Sequence, residues 1–116
     1  MAGAEALNNV YFSNHYSSLD KSPVVTDFIE KFKAKYNKEP NAFNALGYDA
    51  AKFLFDAIER AGSAEPEAIK DALASTTDFE GVTGSFSIDE NHNPVKDIVV
   101  IELKDGEQYS STRVSN

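Results

Sequence analysis

The sequence predicts an α/β fold ordered as one strand, three helices and then three strands. Two changes of hydrophobic period carry that expectation. From Ser22 to about Ala74 apolar residues recur every three or four positions, as on a helix; after Thr76-Thr77 they alternate, as on a strand. A third observation is an excess: the stretch from Pro40 to Gly62 reads as one helix with more apolar surface than so short a chain can cover.

Val10–Ser13 is a β-prone run between asparagine-rich flanks and reads as the first strand. Asn14–Lys21 is polar and serine-rich, a connection. Ser22-Pro23 is a helix start, with Ser as N-cap and Pro at the first helical position. Val24, Val25, Phe28, Ile29, Phe32 and Tyr36 form that helix's buried stripe, and Lys38-Glu39-Pro40 closes it. Asn41 caps the second helix and Gly62 ends it. Leu46, Ala50, Leu54, Ala57, Ile58 and Ala61 follow one apolar stripe, with Phe43 near it a turn earlier. Tyr48, Ala51 and Phe55 follow a second, leaving Asp49, Lys52, Asp56, Glu59 and Arg60 as the wet face. A shorter third helix starts near Pro66 and buries Ile69, Ala72 and Leu73. Phe86 and Ile88 alternate with Ser85, Ser87 and Asp89 as a strand. Ile98–Leu103 is an apolar strand, and Asp105-Gly106 is a hairpin turn into Gln108–Val114.

At 116 residues the chain is one domain at most. Net charge is −8, with six basic and seven acidic groups in residues 1–58 and five basic and twelve acidic in 59–116. That balance argues against nucleic acid, whose binding rests on basic contacts to phosphate. Having no cysteine, the chain forms no disulfide, thiol nucleophile or Cys-ligated zinc site. No apolar run approaches the roughly 20 residues of a membrane-spanning helix. The start, MAGAEALNNV, has neither a basic n-region nor an apolar h-region, so no signal peptide is expected within this chain.

Enzyme chemistry has little support. His15 and His92 are far apart and each sits in a polar, turn-prone segment; no nucleophile elbow, P-loop or zinc-protease motif occurs. Asp89, Asn91 and Asn93 fit the first, third and fifth positions of an EF-hand loop. Pro94 and Val100 occupy the sixth and twelfth, where the loop needs Gly and Glu, so a turn is the better reading and no metal is expected. Asp78–Gly84 reads as a chain crossing made supple by Gly81 and Gly84. Spacing alone puts Phe43 in the core.

The segments VYFSNHYS, SPVVTDFIEKFKAKYNKEP, NAFNALGYDAAKFLFDAIERAG, EAIKDAL and DFEGVTGSFSIDENHNPVKDIVVIELKDG, in this order and spacing, resemble one family. It is the C-terminal portion of the leucine/isoleucine/valine-binding proteins, type I periplasmic solute-binding proteins of amino-acid ABC transporters. The resemblance implies a fragment of a two-lobed Rossmann-like parent about three times as long, periplasmic or anchored outside the membrane. By order, residues 1–18 would end the second lobe and cross over, with Asn14, His15 and Tyr16 at the crossover. Residues 19–81 would be first-lobe helices whose parallel sheet is elsewhere. Residues 82–116 would be a crossover strand and C-terminal hairpin, with Gly81 and Gly84 as hinge positions. Phe43 matches an aromatic that contacts the ligand in the family. Glu65 departs from the pattern, standing where an Asp cap before Pro66 is usual. The implied function is amino-acid binding and delivery to an ABC permease, without cofactor or catalysis. The alternative is a truncated or engineered fragment that binds no ligand and self-associates as a homo-oligomer.

Overall fold

The computed structural model describes residues 3–115; Met1, Ala2 and Asn116, at the ends of the predicted 1–18 and 82–116 segments, lie outside them. A single 3-10 turn at Ala4–Ala6 precedes β1, Val10–Asn14. Three helices follow: α1, Pro23–Tyr36; α2, Ala42–Ala61; and α3, Pro66–Ala74. Five strands complete the chain: β2, Phe79–Gly81; β3, Gly84–Ile88; β4, Pro94–Lys96; β5, Ile98–Lys104; and β6, Glu107–Val114. The fold is thus mixed α/β, with three α-helices and six strands among the described residues.

The helix boundaries follow local chemistry. At α2, the Asn41 side chain accepts from the Asn44 N–H at 3.1 Å, and the Asn44 side chain accepts from the Asn41 N–H at 3.0 Å, a reciprocal capping box. Gly62 ends α2 in the left-handed region, where a side chain would be strained. Ser22 occupies the N-cap position of α1, but its hydroxyl makes no capping bond; its N–H donates to Asp20 instead.

The strands form two separate antiparallel sheets, β1–β5–β6 and β2–β3–β4. In the first, Val10 lies opposite Leu103 and Asn14 opposite Val99. Asp105 and Gly106 both have positive φ, as a two-residue hairpin turn between β5 and β6 requires. The second sheet contains two strands absent from the sequence expectation. Residues 78–84, expected as a plain crossing, hold β2 and its tight turn to β3, with Phe79 opposite Phe86. Pro94 opens β4 at the far edge, a place that tolerates a missing N–H. Three-residue strands are too short to show a period.

Two apolar clusters hold the helices. Tyr16, Val25, Phe28, Ala45 and Val82 form the buried one, with Val24, Ile29, Phe32 and Ala42 packed on it. Phe53 of α2 meets Phe79 and Phe86 at ring-centroid distances of 5.4 and 5.2 Å, which fastens the β2–β3–β4 sheet to α2. The chain passes between the two sheets through residues 15–22 and again at Asp97. Its radius of gyration is 16.7 Å, against about 13 Å for a compact domain of this length, so the two units stand apart.

The second helix departs from its expected orientation. Asp49, assigned to the wet face, is buried, while Leu54 is 43% and Phe55 67% exposed. Phe43, which spacing places in the core, is 83% exposed. Phe43, Gly47, Ala50, Leu54, Ile58 and Ala61, at intervals of four, three, four, four and three, trace an arc of α2 that is bare or half-covered.

Candidate functional site

The densest polar arrangement lies where α2 meets the β2–β3 turn. Asp49 projects from α2 between Ala45 and Phe53, at 4% exposure. Its Oδ1 accepts from the Val82 N–H at 2.8 Å; its Oδ2 accepts from the Thr83 N–H at 2.8 Å and the Thr83 hydroxyl at 2.7 Å. One buried carboxylate thus satisfies the amides of a turn that no strand can pair. Gly81 is required by that approach, since a Cβ there would stand 2.6 Å from Asp49 Oδ2. The Lys96 ammonium donates to Thr83 Oγ1 at 2.6 Å and lies 5.4 Å from the centre of the Phe86 ring. Burial lowers the Lys96 pKa, opposed by the nearby Asp49 charge.

Beside this network is an open hollow of about 410 Å³, lined by Leu46, Ala50, Phe53 and Phe86, with His15, His92 and Lys96 also on its wall. The fold therefore brings the two histidines to one hollow although sequence gave no link between them. Asp89 sits in a turn: its Oδ1 accepts from the N–H groups of Asn91 and Asn93, and these bonds, that of Asn93 foremost, lower its pKa. This is the turn geometry expected over the EF-hand alternative. Among the described residues no group of three His, Asp or Glu is placed to hold a metal ion.

The remaining predicted positions are spread along the junction of the two units. Asn14 ends β1 and its side chain accepts from the His15 N–H at 2.8 Å. His15 is exposed. Tyr16 is buried edge-on against Phe28; its hydroxyl has no partner among the described residues, and burial, aided by the charge of Glu39, pushes its pKa up to about 12. Gly81 and Gly84 flank the β2–β3 turn. Phe43 lies in the first turn of α2, next to Ala42, which packs on the Tyr16 cluster, and its own ring faces solvent. Sequence reasoning missed Asp49, Thr83 and Lys96. The available signal was the GVTG turn, whose amides need an acceptor.

A profile of the periplasmic binding protein family matches residues 1–108, and the chain belongs to that family. Within it, the chain is similar to branched-chain amino-acid-binding proteins. A solved leucine-binding protein from Thermotoga maritima is 42% identical, with a TM-score of 0.79 over 96% of this chain and 32% of its own. The branched-chain amino acid transporter substrate-binding protein of Streptococcus pneumoniae, solved with isoleucine, is 37% identical, with a TM-score of 0.82 over 97% of this chain and 32% of its own. A leucine-, isoleucine-, valine-, threonine- and alanine-binding protein of Pseudomonas aeruginosa is 36% identical over 74 residues, 63% of this chain and 19% of that protein. The chain therefore spans about a third of those solved chains and about a fifth of that curated relative.

Proposed function

We propose that this chain is part of an extracytoplasmic solute-binding protein that holds an aliphatic, branched-chain-like amino acid between two lobes. It delivers that ligand to the permease of an ABC importer and performs no catalysis. The observation that carries this reading is the fold shared with a relative whose bound ligand is isoleucine. In such a protein, ligand contacts to both lobes favour the closed arrangement.

On this reading α1 to α3 belong to the first lobe and the β1–β5–β6 sheet to the second. The packing of Phe53 on Phe79 and Phe86 supports keeping residues 79–96 with the helices. The return passage then falls at Asp97, within the 82–116 segment but later than a crossover strand at its start would place it. Asn14, His15 and Tyr16 lie on the outward passage. Phe43, exposed at the head of α2, is placed to lean on an aliphatic side chain or an ammonium group. Calorimetry of the longer protein containing this chain, titrated with a panel of amino acids, tests the proposal. Binding of an aliphatic amino acid is expected, and uniform failure to bind would overturn it.

A second reading concerns the chain alone, and the bare arc of α2 favours it: by itself the chain binds no amino acid and covers its apolar arc by self-association. Size-exclusion chromatography with light scattering is expected to show a dimer or larger species. A compact monomer at all concentrations counts against it.

A further inference from the structure

The two sheet units are joined covalently at residues 15–22 and at Asp97, and one charged contact also spans them. Arg113 of β6 lies opposite Val99, on the face that carries buried Val99 and Ile101. Its Nη2 donates to Asp20 Oδ2 at 2.8 Å. The other oxygen of Asp20 accepts from the Ser22 N–H at 2.8 Å, which pins the carboxylate to the entrance of α1. Arg113 Nη1 is buried without a hydrogen-bond partner among the described residues, and it fits against Gly84 of the other sheet, where a Cβ would collide with it. One guanidinium thus touches β6, the entrance of α1 and the β2–β3 turn.

This pair differs from the rest. Its side chains are 30% and 21% exposed, while every other ion pair among the described residues has partners at 37% or more. Exposed pairs contribute little to stability, whereas a partly buried, hydrogen-bonded one fixes geometry. A neighbouring bond, from the Ser17 hydroxyl to Gln108 Oε1 at 3.2 Å, ties the same passage to the same strand. Arg113 also lies beyond the stretch shared with the family profile.

We propose that Arg113 and Asp20 form a latch that fixes the orientation of the β1–β5–β6 sheet relative to the helical unit. Arg113 is a positioning residue in this role. The latch rests on the geometry above; only its bearing on lobe closure depends on the solute-binding reading.

The chain has no cysteine, so spin labels can be placed cleanly at Lys104→Cys and Lys70→Cys, one on each unit. Pulsed electron resonance on the full chain, diluted with unlabelled chain to suppress signals between copies, reads the distance between them. The latched chain is expected to give one narrow distribution. Arg113→Met and Asp20→Asn should each broaden it on the order of twofold, because units without a large interface move by default. The double variant should broaden it no further, and Arg113→Lys should fall between. A broad distribution in the unsubstituted latch overturns the proposal, as does an unchanged width in both single variants at unchanged helix content. If Arg113→Met does not fold, the isosteric Asp20→Asn decides. None of these readings depends on whether the longer protein binds an amino acid.

Discussion

On one side of α2, Ala45, Asp49 and Ala57 are buried, and the Asp49 carboxylate is fully engaged by the β2–β3 turn. On the other side Phe43, Leu54 and Phe55 meet solvent. The polar flank is covered and much of the greasy flank is not. Burial here follows the partners present in the chain rather than the hydrophobicity of the residue. A carboxylate can be buried when amides and a hydroxyl meet its oxygens, and an aromatic stays wet when no apolar surface opposes it.

The sharpest way to break this contrast is Asp49→Ala. It leaves the buried amides of Val82 and Thr83 without an acceptor, at about 1–3 kcal/mol for each orphaned group, so a loss of about 3–5 kcal/mol is expected in urea unfolding. A loss under about 1 kcal/mol would mean that the turn is held by something else. Next come two aromatics on the same helix. Phe53→Ala removes the ring that ties α2 to the second sheet and should cost about 2–4 kcal/mol, while Phe55→Ala should change monomer stability by no more than about 0.5 kcal/mol. Comparable losses from both would show that the Phe55 flank is covered within the chain. Gly84→Ala forces a side chain into positive φ and against Arg113, for about 1–3 kcal/mol by thermal denaturation.

The smallest effect concerns pH. Burial raises the Asp20 pKa, but hydrogen bonds from Arg113 and Ser22 outweigh it and leave the value below the ordinary one. Because the folded pKa is depressed, the contribution is present above the unfolded value and is lost as pH falls through the folded one. The stability difference between the parent chain and Asp20→Asn should therefore be under about 1 kcal/mol at pH 7, after discounting for solvent, and shrink as pH falls through and below the ordinary carboxylate range. A difference that persists in acid would assign the effect to packing rather than charge.

Much of this architecture can be read from local pattern. Asn41 and Gly62 bound α2 as their chemistry requires, Ser22-Pro23 opens α1, and Asp105-Gly106 makes the hairpin. The candidate site resisted the same reading for a physical reason. Asp49 is held by backbone amides 33 and 34 residues further on, and every residue but proline has such an amide. Side-chain spacing therefore grouped it with Lys52 and Asp56. Asp20 and Arg113, 93 residues apart, are equally invisible to a local window. Phe43 shows the complementary failure: its spacing suits a core, but its ring is left exposed by the described residues.

The pairing of β1 with β5 also has a consequence in time. Tyr11 and Glu102 are 91 residues apart, whereas β5 and β6 are joined by a two-residue turn. Closing so long a loop costs entropy before any contact repays it, so this sheet has a high contact order and its first strand should dock last. During synthesis β1 is made before α1, α2 and α3 and waits for all of them before β5, its partner, exists. Through that interval the Tyr11–Phe12 segment lacks its β5 partner, and a strand edge waiting for its partner is where misassembly between nascent chains begins.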